Sequence, residues 1–285
     1  MMITLSSTLV VDGVNLRRAR ATGWSQSYGT EYSTAVVWVS TLSNLELNNL
    51  VISDIMASGG IASLGAILTF DGRNSRVRVN NVNISNATLV SENSIGVIGG
   101  LFNAQSGGSE LTALATREAL TFVNVHISDV VVITSGSGAP VDGGLMYIWK
   151  DLHVSLTNVS ISKLRVTALD GEVRGGLFHV GYGSSLTLSH VTISDVTVTS
   201  RQRLRGGVFS MSETSTLELA AATVVRCVSR STDDVAYGGV AHVAGILLMR
   251  DGTLLKGNSA SIGHTLSFDA GIASCIGIAS NPAPL

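Results

Sequence analysis

The chain has 285 residues, a formal net charge of −2, 13% charged residues, and 31 glycines against 3 prolines. Charge this sparse, about half the usual share of roughly 25%, excludes a disordered or coiled-coil chain. The near-neutral balance gives no electrostatic reason to expect nucleic acid or an anionic membrane as a partner.

The opening Met-Met-Ile-Thr-Leu-Ser-Ser lacks a basic n-region and a long apolar h-region, so no signal peptide is visible. From Leu9 one pattern repeats. Counting its first residue as zero, apolar residues fall at offsets 0, 2, 5, 7 and 10, as in Leu186, Leu188, Val191, Ile193 and Val196. Copies begin at Leu9, Leu45, Val77, Leu120, Val154, Leu186 and Leu217, separated by 36, 32, 43, 34, 32 and 31 residues, and every template position is apolar. Period-two alternation marks short strands. The odd step from 2 to 5 marks a corner, since an unbroken strand keeps its parity.

Offset 4 is occupied by Gly13, Asn49, Asn81, Asn124, Asn158, His190 and Ala221. Glycine and asparagine tolerate the left-handed backbone of a sharp bend, and four successive asparagines in one register predict a ladder of stacked amides. Offset 9 holds Arg18, Asp54, Asn86, Asp129, Lys163, Asp195 and Arg226, where no two neighbours share a sign. That alternation predicts a surface charge ladder, with Lys163 within one coil spacing of both Asp129 and Asp195.

A third strand precedes most copies, opened by two glycines: Gly143-Gly-Leu-Met-Tyr, Gly175-Gly-Leu-Phe-His, Gly206-Gly-Val-Phe-Ser and Gly238-Gly-Val-Ala-His. Ala35 and Gly65 hold the second-glycine position earlier. Gly99-Gly100 stands farther from Leu120, which predicts an insertion around Gln105 to Glu118. After Gly239 the template degrades; Leu247, Met249 and Leu254 predict one more imperfect coil. Ala236 to Met249, the longest nearly apolar run, contains His242 and is too short to span a bilayer.

Three short strands per unit of about 32 residues, with no helical period, predict an all-β, right-handed parallel β-helix (solenoid) of seven to eight coils. Residues 1–270 read as one domain, degenerate from about 246, with 271–285 as a C-terminal tail or linker. The first template starts almost at once with no capping element, which raises the expectation of a fragment of a longer repeat array.

These features resemble the right-handed parallel β-helix superfamily of pectin-lyase-like proteins, whose bends often carry an asparagine ladder. The Gly-Gly-Leu-Phe openings followed by Leu-Thr-Leu-Ser-X-Val-Thr-Ile-Ser are similar to passenger repeats of chlamydial polymorphic outer-membrane proteins. The resemblance implies that the outer face of the glycine-led first sheet is where pectate lyases place calcium-binding aspartates and an arginine base. The related polygalacturonases set three aspartates and a Gly-His-Gly on it.

On that face alternation predicts an outward aliphatic stripe of Val36, Ala66, Leu101, Leu145, Leu177, Val208 and Val240. The inward partners are Val37, Ile67, Phe102, Met146, Phe178, Phe209 and Ala241. An apolar stripe supplies neither calcium ligands nor a catalytic acid and base. Two positions on, the outward column reads Trp38, Leu68, Asn103, Tyr147, His179, Ser210 and His242. His179 and His242 lie two coils apart, about 9.6 Å, too far to share zinc. Tyr147 and Trp149 offer a platform for stacking a sugar, or aromatics covered by a loop.

Elsewhere, Asp233-Asp234 and the alternating Arg201, Arg203 and Arg205 read as solvated loops or an anion contact. Cys227 at an inward offset reads as a buried small residue, and two cysteines make no disulfide framework. Sequons at Asn83, Asn86 and Asn158 carry no argument in a chain so rich in serine and threonine.

The expectation is a non-catalytic structural or binding module of a surface or secreted protein, adhesin-like and extracellular. It has no cofactor, metal or catalytic residue. Its interaction face comprises Val36, Leu101, Leu145, Leu177, Val208, Val240, Tyr147, Trp149, His179 and His242, and its partner is a protein or glycan. The alternatives are a carbohydrate-active enzyme of the pectin-lyase-like class or a piece of a longer array.

Overall fold

The computed structural model describes residues 2–3, 8–22, 37–40, 44–59, 63–64, 66–71, 76–92, 96–105, 119–262, 265–269 and 272–275. Every strand pairing in it is parallel, and successive copies of the template lie one above the next. Leu9, Leu45, Val77, Leu120, Val154, Leu186, Leu217 and Leu247 form one column of partners. The unequal spacings are therefore absorbed outside the ladder. The chain is a parallel β-solenoid.

Three sheets form its sides. The first holds nine short strands, among them Phe102–Gln105, Met146–Ile148, Phe178–Val180, Phe209–Met211 and Ala241–Val243. A second holds six strands of two residues, including Val141–Asp142, Val173–Arg174, Leu204–Arg205 and Ala236–Tyr237. The third contains the long strands Asn44–Gly59, Arg76–Ser91, Ala119–Thr134 and His153–Ala168 and their successors. The six two-residue strands mark six coils with all three sides among the described residues, a turn or two short of the sequence reading.

Each long strand turns two corners. The offset-4 residues adopt left-handed backbone, with φ of 54° at Asn49, Asn124 and Asn158 and 53° at Asn81. Their amides form the expected ladder: Asn158 Nδ2 donates to Asn124 Oδ1 at 2.6 Å, Asn124 to Asn81 at 3.1 Å, and Asn81 to Asn49 at 3.1 Å. Asn49 continues it to Asp12 at 2.8 Å. The offset-9 residues form a second left-handed corner, including Asp129 at 55°, Lys163 at 54° and Asp195 at 58°. There the charges meet as separate pairs. Lys163 lies 3.6 Å from Asp129, while Asp195 takes two hydrogen bonds from Arg226 at 2.6 and 2.8 Å.

The alternate apolar residues fill the interior. From Leu45 onward every template position is buried. In the first copy Leu9, Val11, Leu16 and Ala19 are half-buried and Val14 is 44% exposed, because described chain stacks on the long-strand side from one direction only. The last imperfect coil also differs. Leu247 and Met249 are buried, but Thr223 pairs with Leu254 and Val224 with Leu255. One extra residue in the Arg250–Thr253 turn, with Asp251 and Gly252 both at positive φ, puts Leu254 outward and Leu255 in the inward column. Pairing then continues through Ile272–Cys275, inside the segment read from sequence as tail.

Candidate functional site

Between the two-residue strands and the first sheet, the chain makes a third, tighter bend at the glycine pairs. The first glycine of each pair has positive φ: 61° at Gly143, 63° at Gly175, 71° at Gly206 and 64° at Gly238. A Cβ on Gly175 would stand 1.9 Å from the Phe178 carbonyl oxygen, and one on Gly144 would stand 2.4 Å from that of Gly176. No side chain fits at either place, so only glycine permits the turn.

Just past the bend, two successive N–H groups share one carbonyl. Leu145 and Met146 both donate to Leu177 O, Leu177 and Phe178 to Val208 O, and Val208 and Phe209 to Val240 O. This bulge places both residues of each pair on the inner side, where strict alternation would separate them. The expected outward stripe is therefore overturned. Leu101, Leu145, Leu177, Val208 and Val240 are buried in the core beside Phe102, Met146, Phe178 and Phe209. Ala66 is buried too, and Ile67 shares the Leu101 carbonyl with Leu68, so Ile67 takes the place given to Ala66. Val37 pairs with Leu68, which puts Thr69 in the outward column instead of Leu68. Val36 lies outside the described residues.

The outward column itself closes into a groove. Asn103, Tyr147, His179, Ser210, His242 and Ser267 are all buried, although none faces the core. The bend is concave on its outer side, and the outward residues of the two-residue strands face them across it. The Asp142 charge acts on Tyr147, that of Arg174 on His179, and that of Arg205 on His242. The Tyr237 ring lies 5.9 Å from His242.

At the middle coils the groove gathers its chemistry. Tyr147 is sandwiched between Trp149 (centroids 5.6 Å, planes 20° apart) and His179 (5.3 Å, 12°). Trp149 is 40% exposed and forms the outer leaf of that stack. Opposite, Arg174 Nε lies 2.7 Å from Glu172 and 3.2 Å from Asp142. Burial pushes the Asp142 carboxyl up to about 6, against the pull of Arg174 and with Glu172 adding to the rise. Burial, then the Arg174 charge, lowers His179 to about 4, so its imidazole is neutral at pH 7. Burial first and the Asp142 charge second raise the Tyr147 hydroxyl far above its ordinary value.

His179 and His242 are separated by Ser210 in the ladder, as their sequence spacing requires. Burial also lowers His242, whose Nε2 lies 3.1 Å from Asp269. The Asp233-Asp234 loop is tied within the chain: Arg201 bridges Asp233 at 2.7 Å and Asp170 at 3.5 Å, and Arg203 lies 3.8 Å from Asp234. Cys227 is fully buried, and desolvation pushes its thiol up to about 12, the profile of an inert core residue.

The sequence reading singled out Tyr147, Trp149, His179 and His242, which the structure places along one groove. It missed Asp142, Arg174 and Glu172 on the facing wall. A signal for two of them was present: an apolar residue and then a polar one precede the glycine pairs in Val141-Asp142, Val173-Arg174, Leu204-Arg205 and Ala236-Tyr237.

Fold and groove together define a parallel β-solenoid repeat protein. No family model, curated protein or solved structure matches the chain, so its function has to be inferred from its own residues.

Proposed function

We propose that this solenoid is a binding module of a surface or secreted protein, an adhesin-like rod that holds a protein or glycan along the outer groove of its first sheet. The observation that carries this reading is the Trp149–Tyr147–His179 stack, which lies in a concave, polar-walled groove and has its outer leaf open to solvent. An exposed aromatic face beside convergent polar groups is a common make-up of ligand sites. Kinship with pectin-lyase-like proteins and with chlamydial passenger repeats belongs to the same proposal, as does an extracellular location. No helix among the described residues is long and apolar enough to cross a membrane.

The test is solid-phase binding of the full chain to arrayed glycans and extracellular-matrix proteins, with Trp149→Ala plus Tyr182→Ala as the control; Tyr182, 50% exposed, is the aromatic of the next coil, whose carbonyl accepts from Asp151 N just past Trp149. Capture that disappears in the double variant supports the reading. Capture that persists unchanged, or no capture at all, overturns it.

A second reading, a carbohydrate-active enzyme, is favoured by one observation. Asp142 has its carboxyl at about 6 and stands beside Arg174, in the range useful for proton transfer near neutral pH. Release of reducing ends from polysaccharides, abolished by Asp142→Asn, would establish it; product formation equal in parent and variant would remove it.

A further inference from the structure

We infer that Ser267, His242 and Asp269 form a hydrolytic triad in the last described coil, set to cleave small carboxylic esters. This goes beyond the binding-module reading and uses none of the residues whose stack carries it. His242 and Ser267 are register partners on adjacent coils of the first sheet, and Asp269 stands just past the end of the strand that holds Ser267. The imidazole reaches both. Ser267 Oγ lies 3.3 Å from His242 Nδ1, and Asp269 Oδ2 lies 3.1 Å from Nε2.

A buried imidazole beside an exposed carboxylate would alone be an ordinary ion pair. The hydroxyl on its other nitrogen changes what it can do. Nε2–H donates to Asp269, so Nδ1 keeps its lone pair and accepts the Ser267 proton. Burial, the largest cause, lowers the His242 pKa; the Asp269 carboxylate raises it and the Arg205 charge lowers it. The ring is therefore neutral at pH 7 and able to take a proton, while Asp269 fixes its tautomer and stabilises the cation that forms. Which nitrogen faces the serine makes no difference to that transfer, since imidazole accepts a proton at either. Contacts of this kind are often long before substrate is bound.

The surroundings supply what the negative intermediate needs. Thr265 O accepts from Val240 and Ala241, and Asp269 N donates to Val243 O. The Leu266 and Phe268 N–H groups therefore point to the opposite edge, where no strand follows in this sheet among the described residues. Phe268 N–H, one residue after the nucleophile, is a donor for the oxyanion. The Arg205 charge, with no carboxylate partner among the described residues, adds to it. Ser267 attacks the acyl carbon as its proton passes to His242 Nδ1; the alcohol leaves with that proton, and an acyl-serine remains. Water then attacks the acyl carbon and gives a proton to His242, which returns it to Ser267 as the acid departs. Ser267 and His242 are buried and Asp269 is exposed, so only a small acyl group fits at Oγ.

The test treats the full chain at pH 7.5 with a fluorophosphonate, mapping the label by mass spectrometry, and separately with p-nitrophenyl acetate. The label should fall on Ser267 and be absent from Ser267→Ala and from the parent in urea. His242→Gln should slow labelling and p-nitrophenol release by about 100-fold or more, and Asp269→Asn by about tenfold. Release should rise with pH as His242, faced by Asp269, Arg205 and Tyr237, loses its proton below 6.5. Asp269→Asn should move that limb to lower pH, whereas a merely structural aspartate would leave it in place. If His242→Gln fails to fold, Ser267→Ala and Asp269→Asn, which alter one hydroxyl and one exposed group, keep the test decisive. No label on Ser267, labelling that persists in urea, equal release by Ser267→Ala, or an unmoved limb each overturn the inference.

Discussion

The long-strand sheet and the first sheet are built from the same kind of residues, yet their outer faces differ. Along Arg76–Ser91 burial alternates with the pleat, interrupted only at the two left-handed corners. In Met146–Ile148, Phe178–Val180, Phe209–Met211 and Ala241–Val243 every residue is buried on both faces. Corner geometry makes the difference. The asparagine corners turn the chain so that outer side chains splay apart; the glycine bends turn it so that they converge. A polar side chain on the first sheet is thus a buried group, and the same residue on the long strands is a solvated one.

The comparison can be broken most severely at the bend. Gly175→Val adds a clash with the Phe178 carbonyl to an unfavourable φ, and should cost more than about 4 kcal/mol in urea unfolding. A loss below about 1 kcal/mol would show that the bend relaxes and does not define the groove.

Outward residues offer a direct contrast. Tyr147→Ala, at 8% exposure on the first sheet, should cost about 3 kcal/mol. Thr197→Ala, exposed on the long strands, should stay within about 0.5 kcal/mol. Similar losses at both sites would erase the distinction between the two outer faces.

Acid titration sharpens it further. Native Asp142 titrates at about 6, against an ordinary value of 3.8, so between those values the folded chain holds the extra proton. Its contribution lowers stability as pH rises through that window, by up to about 3 kcal/mol. His179, at about 4 against 6.5, acts oppositely: the unfolded chain takes up the proton first, and stability is lost as pH falls from 6.5 toward 4. The two slopes oppose each other in the parent. Asp142→Asn removes the first, so the variant should be more stable at pH 7.5 and should lose stability more steeply than the parent between pH 6.5 and 4.5. Parallel pH profiles would contradict the burial of this carboxyl.

Legibility in the sequence divides along the same line. Leu186, Leu188, Val191, Ile193 and Val196 announce their strands because water lies on one side of them and core on the other, and pattern follows period. Asn81, Asn124 and Asn158 announce a corner because few residues accept positive φ. The second corner was masked, since Asp54, Asn86, Asp129 and Asp195 suit positive φ but Arg18, Lys163 and Arg226 in the same register do not, and the alternating charge reads as an ordinary outward column; the parity step from offset 7 to 10 was the other trace. On the first sheet the bulge shared by Leu145 and Met146 carries no compositional mark, so alternation assigned Leu145 the wrong face.

The smallest effect concerns the first corner. Ala221, with φ 50°, stands where five other coils place asparagine or glycine and one places His190. Ala221→Gly should raise stability by about 0.5–1 kcal/mol, read as a higher melting temperature. A fall would mean that the alanine methyl contributes packing worth more than the backbone relief.

The connection between the first sheet and the long strands varies greatly in length without consequence for the ladder. Residues 106–118 separate Gln105 from Ala119, whereas only 149–152 separate Ile148 from His153, and yet Phe102 pairs with Met146 and Leu120 with Val154. Each doubling of such a loop costs only about 0.6 kcal/mol in closure entropy. That side of the rod is therefore a natural grafting position. A foreign peptide inserted at the exposed Glu213 corner would be displayed at a fixed height on the scaffold, and evolution has the same freedom to lengthen one coil while leaving its neighbours in place.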